Sequence, residues 1–172
     1  MKRHAVALCT AMLCAVILSG CSHLSVKHLN KGPWTFSEPQ TVATKCWRFE
    51  YRVAPVSKYY RIDGTAFPLA ESVPEWATWI DDLWISAYLT DARGRILARD
   101  VKVYVPQHLS REQGVPFEFW LRLDGQKLPE PLFVSFGYRV KMLAAAQKAS
   151  ADKDMPPVED VFFASEGALV CH

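Results

Sequence analysis

Cys46-Trp47-Arg48-Phe49-Glu50-Tyr51-Arg52-Val53 alternates without a break. Trp47, Phe49, Tyr51 and Val53 fall on one side, and Arg48, Glu50 and Arg52 on the other. Successive side chains of an extended strand point to opposite faces, whereas a helix would scatter these apolar residues around its circumference. Only a strand with one apolar face accounts for the pattern. Ala54-Pro55-Val56-Ser57 interrupts it, and a second strand is expected from about Lys58 to Phe67, with Tyr60, Ile62, Gly64 and Ala66 on one side. The small pair there marks a place where a neighbouring element comes close.

The same period returns further along the chain. Leu83, Ile85, Ala87 and Leu89 alternate with Trp84, Ser86, Tyr88 and Thr90, and Asp91-Ala92-Arg93-Gly94 then reads as a tight turn with Gly94 at positive φ. Strands are expected at Arg95 to Val105, at Pro116 to Leu123, at Leu132 to Met142 and around Val161-Phe162-Phe163-Ala164 and Leu169-Val170-Cys171. Asp124-Gly125 reads as another turn. Two stretches depart from this rhythm. Pro74 can sit in the first turn of a short helix capped by Ser72 or Val73, with Trp76, Trp79 and Ile80 on one face. Leu143 to Ala151 is rich in helix formers without a clear apolar face, so a short helix or a loop is expected. Short strands joined by turns, without regular intervening helices, predict an all-β chain. We expect an antiparallel sandwich with one or two short helices rather than an α/β sheet.

Upstream of this body, Lys2 and Arg3 precede a weakly polar to apolar run from Ala5 to Leu18, followed by Leu18-Ser19-Gly20-Cys21. A charged start and a short apolar run are the marks of a secretory signal, and the run is too short to span a bilayer. The order Leu18, two small residues, Cys21 resembles the bacterial lipoprotein signal, the lipobox. The resemblance implies cleavage before Cys21, a diacylglyceryl group on its sulfur and a further acyl chain on the freed amine. Two or more chains anchor stably, at about 0.8 kcal/mol per buried methylene. Ser22 stands where Asp commonly retains members of that family at the inner membrane, so the resemblance implies the bacterial outer membrane, and the periplasmic side is expected. The alternative is an ordinary secretion signal with an incidental Cys21. The expected organisation is a signal peptide at 1–20, a lipidated flexible tether at 21–33 and one β domain at 34–172.

Removing the signal also removes Lys2 and Arg3, two of the 20 basic residues, and leaves a balance with the 18 acidic ones. No cationic footprint for nucleic acid is left. Cys9 and Cys14 leave with the signal and Cys21 carries lipid, so Cys46 and Cys171 remain. In an exported chain they read as a disulfide joining the first strong strand to the C-terminus. Two buried free thiols, or half of a metal site, are the alternatives.

Ala87-Tyr88-Leu89-Thr90-Asp91 with Gly94, followed by Phe117-Glu118-Phe119, resembles bacterial immunoglobulin-like modules whose pattern is Phe-x-Leu-Tyr-Asp before a glycine turn. Leu89, Asp91 and Gly94 match, while Ala87 and Thr90 depart. The resemblance covers less than half of the chain; it implies an immunoglobulin-like sandwich and carries over no binding residues. Transthyretin-like lipoproteins combine the same kind of tether with a sandwich and are the other expected type.

No catalytic constellation stands out. His108 follows Pro106 in a polar connection with no nucleophile elbow nearby, and no phosphate loop, zinc spacing or calcium loop is present. Asp81-Asp82, and Asp152 and Asp154 with Glu159-Asp160, are acidic groups that lack the spacing of a calcium site. No enzyme activity, cofactor or metal is therefore expected. The most suggestive feature is aromatic: Trp84, Tyr88 and Trp120 lie on strand faces that alternation assigns to solvent. If their strands neighbour one another, the rings form a binding patch; otherwise the segment with Trp76 and Trp79 folds over them as a second small core. The expected function is a non-enzymatic structural or protein-interaction module with an envelope protein partner. The alternative is a binding module for a small apolar or glycan ligand at Trp84, Tyr88 and Trp120.

Overall fold

In the computed structural model, residues 23–123, 130–145, 159–165 and 167–169 are described. Their strands are β1 (His23–Ser25), β2 (Gly32–Pro33), β3 (Gln40–Ala43), β4 (Trp47–Val56), β5 (Tyr59–Pro68), β6 (Trp79–Thr90), β7 (Ile96–Tyr104), β8 (Gln107–His108), β9 (Val115–Arg122), β10 (Phe133–Leu143), β11 (Glu159–Ala164) and β12 (Gly167–Leu169). One sheet runs β3-β4-β5-β9. The other runs β11-β10-β6-β7, with β2 added to β10 and β8 to β6. Every pairing is antiparallel.

The alternation at 47–53 becomes the buried and exposed faces of β4. Trp47, Phe49, Tyr51 and Val53 enter a core shared by both sheets. Phe49 stacks on Phe136 of β10 with ring centroids 4.5 Å apart, and Phe117 of β9 lies 5.4 Å from the same ring. Such rings contribute both buried area and favourable offset packing between the layers. At one side the layers are tied edge to edge. The Tyr104 hydroxyl donates to the Pro116 carbonyl at 3.0 Å, and the Trp120 amide donates to Asp100 Oδ2 at 2.9 Å.

The Asp91–Gly94 turn forms as the sequence predicts. Asp91 Oδ1 accepts from the amides of Arg93 and Arg95, and Gly94 takes φ 79°, a conformation a side chain resists. The expected break after Val53 comes later. β4 continues through Val56, and Ser57, at φ 55°, starts the turn into β5.

Three expectations are corrected. No helix occurs among the described residues. The segment 69–78 is a chain of turns, with the amides of Ser72 and Val73 on the Leu69 carbonyl and that of Ala77 on the Pro74 carbonyl. Pro74 disfavours helical backbone at Val73, and Trp79 and Ile80 are taken by the ladder opposite Leu143 and Met142. The second expected helix fails at its start, because Leu143 is the last residue of β10. Its remainder, 146–151, lies outside the described residues.

The third correction concerns 21–33. From His23 onward this stretch is packed structure rather than flexible tether: β1 pairs with β12, β2 pairs with β10, and Val26 and Leu29 are buried against Tyr88. Two apolar residues among polar neighbours suffice, because they fit onto a face that is itself apolar.

Candidate functional site

The outer face of the β11-β10-β6-β7 sheet is built by the residues that alternate with its core positions. Along β6 these are Trp84, Ser86 and Tyr88, opposite Val103, Val101 and Arg99 of β7. On the other flank the same three face Arg139, Gly137 and Ser135 of β10, and Arg139 in turn faces Phe163 of β11. Part of this face forms a trough of about 640 Å³, lined by Trp84 and Val101 on one side and by Val161 and Phe163 on the other, with Ser86, Arg99, Arg139, Tyr138 and Ser165 completing the lining. Small residues, Ser86 and Gly137, lie between those walls. A Cβ on Gly137 would come within 2.9 Å of the Tyr88 ring, so glycine lets that ring lie over the sheet.

One end of this face is already covered. Tyr88 is fully buried beneath Val26 and Leu29, with Ile96 and Ala164 around them. The entering chain is fixed by the Ser25 hydroxyl and the Val26 amide, which both donate to the Gly94 carbonyl, at 3.1 and 2.9 Å. The rest of the face is bare. Phe163 is 75 % exposed, Val103 59 % and Trp84 44 %.

Charges flank the apolar walls. The indole Nε1 of Trp84 donates to Asp82 Oδ1 at 2.7 Å, which fixes the ring, and Arg139 Nε lies 3.6 Å from the other oxygen of that carboxylate. Lys141 and Asp81 pair at 3.4 Å. Arg99 brings a further positive charge to the trough lining.

The three aromatic residues singled out in the sequence do not gather into one patch. Trp84 is exposed in the trough, Tyr88 is buried on the same face, and Trp120 lies on the outer face of the other sheet. There it donates to Glu118 Oε1 at 2.9 Å and meets Tyr59 edge-on at 6.5 Å. Alternation gave each ring its face, but the two tryptophans belong to different sheets. Nor does the segment around Trp76 fold over them. Val73 and Ala77 are buried in the main core, and Arg111 holds the carbonyls of Val73 and Pro74 at 3.3 and 2.6 Å.

Val101, Val103, Val161, Phe163, Arg99 and Arg139 were not singled out from the sequence. Their signal was present in the alternation of β7 and in Val161-Phe162-Phe163, but it acquires meaning only once β7 and β11 are placed on either side of β6 and β10.

Cys46 is wholly buried and has no disulfide partner among the described residues. The Tyr138 hydroxyl is pushed well above the ordinary phenol value by burial first and by the neighbouring Cys46 second. Cys171 and Cys21 lie outside the described residues, so the expected Cys46–Cys171 bridge does too. His108 is an exposed residue of β8 opposite Trp79. Asp81 and Asp82 are engaged by Lys141 and Arg139, Asp152 and Asp154 lie outside the described residues, and no group of three potential metal ligands occurs among the described ones. No family model, curated protein or solved structure matches the chain.

Proposed function

We propose that the chain is a bacterial lipoprotein, held at the outer membrane by acylated Cys21 and facing the periplasm, which acts by contact rather than by catalysis. Its two antiparallel sheets would form an immunoglobulin-like or transthyretin-like sandwich; the Leu89, Asp91 and Gly94 pattern supports the former type. One observation carries the contact role: the segment that follows Cys21 packs on the same sheet face as the exposed apolar trough. Ser25 is four residue steps beyond Cys21, at most about 14 Å of extended chain. An anchor at Cys21 therefore keeps this face close to the membrane and to apolar components of the envelope. Bare apolar surface on an exported domain marks a contact site rather than a resting surface.

The test is recovery of crosslinked partners from membranes, beside a Cys21→Ser form, together with the mass of the mature N-terminal peptide. Acyl groups on Cys21 and an envelope component captured only by the anchored form are expected. An unmodified Cys21, or identical capture by both forms, would end the proposal.

The disulfide belongs to the same reading, since export supplies an oxidising compartment for Cys46 and Cys171. Unfolded without reductant, the mature protein should then expose neither thiol, and reduction should lower its stability by about 4 to 5 kcal/mol. Titration of both thiols in the unreduced protein would remove the bridge.

A further inference from the structure

We propose that the trough between Trp84 and Val101 on one side and Val161 and Phe163 on the other binds the single acyl chain of a long-chain fatty acid, with the carboxylate toward arginine. This names the partner of the contact face proposed above and rests on that reading. The volume, about 640 Å³, lies within the range of about 300–1,000 Å³ typical of small-molecule sites. Its shape and lining select within that range. Walls that are mainly apolar on both sides of a floor holding Ser86 and Gly137 suit a flexible run of methylenes, each contributing about 0.8 kcal/mol when buried. A sugar would leave most of its hydroxyls facing Val101, Val161 and Phe163 without partners, which is costly.

Charge selects the head group. Arg139 lines the trough, and Asp82 is the carboxylate that pairs with it. A guanidinium carries five N–H donors in a fork that matches a carboxylate, so the Asp82 contact at Nε does not exhaust Arg139. A neutral chain would use the walls and forgo this pairing.

The experiment uses the soluble Cys21→Ser protein and measures one-to-one binding of palmitate, below its aggregation concentration, by native mass spectrometry and calorimetry. Hexadecanol and vesicles of phosphatidylethanolamine and phosphatidylglycerol serve as comparison probes. Saturable palmitate binding is expected, tenfold or more weaker in the Val101→Arg, Phe163→Asp double variant. Both positions are exposed, so that variant should unfold at the same midpoint as the parent. Arg139→Gln should weaken palmitate several-fold and leave hexadecanol unchanged. Absence of saturable palmitate binding would overturn the inference, as would unchanged binding by the double variant, or binding to vesicles alone. Anchoring is read separately, from the mass of the N-terminal peptide, so failure here would leave the lipoprotein reading standing and failure there would leave this one.

Discussion

The two outer faces of the molecule come from the same period-two pattern and have opposite characters. On the β3-β4-β5-β9 sheet, charged groups have neighbours within their own face. Arg48 pairs with Glu50 at 3.0 Å, Arg61 with Asp63 at 2.9 Å, and the Arg48 guanidinium lies over the Phe67 ring. That face pairs its charges locally, and its exposed rings, Tyr59 and Trp120, meet each other edge-on. On the β11-β10-β6-β7 sheet, Tyr88 needs Val26 and Leu29 from another part of the chain, while Trp84, Val103 and Phe163 remain bare. The difference teaches that alternation sets which side of a strand enters the core and leaves the work of the other side open. A charged outer face keeps a sheet solvated and discourages unwanted association; an apolar one invites contact, and here part of it is already occupied by the entering chain.

The sharpest way to break this comparison is within the apolar face itself. Tyr88→Ala empties a fully buried site and should cost about 3–5 kcal/mol in denaturant unfolding, whereas Trp84→Ala, at a position 44 % exposed, should cost less than about 1 kcal/mol. Equal costs would mean that the covering segment is no part of the folded unit. Val26→Ala should be intermediate, at about 1–3 kcal/mol, with a matching gain in proteolysis before Gly32.

A smaller effect lies at the edge that joins the two sheets. Burial pushes the Tyr104 hydroxyl up to about 12 from its ordinary 10.0. The folded state thus favours the protonated phenol. Its contribution is fully present below pH 10 and is lost as pH rises from 10 toward 12. Tyr51 and Tyr138 are raised by burial as well and add to the same alkaline loss. Tyr104→Phe removes the hydrogen bond to Pro116, at about 1 kcal/mol, and should flatten the part of a stability-against-pH curve that begins near pH 10. A curve of unchanged shape would contradict this assignment. The smallest effect is expected on the charged face, where Asp63→Asn should change stability by no more than about 0.5 kcal/mol, since the Arg61 and Asp63 side chains are partly open to solvent, at 39 % and 40 %. A larger loss would show that this face, too, is held together by something beyond local pairs.

Much of the framework was legible because it is local. Trp47 to Val53 fixes a strand and its buried face, and Asp91 with Gly94 fixes a turn, within a few residues each. Elsewhere a local reading was misled. The spacing of Trp76, Trp79 and Ile80 matches a helix face, yet Trp79 and Ile80 gain ladder partners in Leu143 and Met142 that lie far along the chain. Tertiary pairing overrides a weak local preference. The same limit hid the trough, whose walls come from β6, β7, β10 and β11, and it separated Trp84 from Trp120, whose local patterns are alike. Ser22 to Pro33 read as solvated because its apolar content is only Leu24, Val26, Leu29 and the closing Pro33; the burial of Val26 and Leu29 depends on the Tyr88 surface they cover.

The central claim is that the outer face bearing Trp84 and Phe163 is the working surface of the anchored protein. It is tested most directly by placing a photo-crosslinking residue at position 163, or at position 52 on the opposite outer face, in the full chain in its native envelope. The account predicts a discrete adduct, lipid or protein, from position 163 and none from position 52. Adducts from position 52 alone, or the same adducts from both, would contradict it.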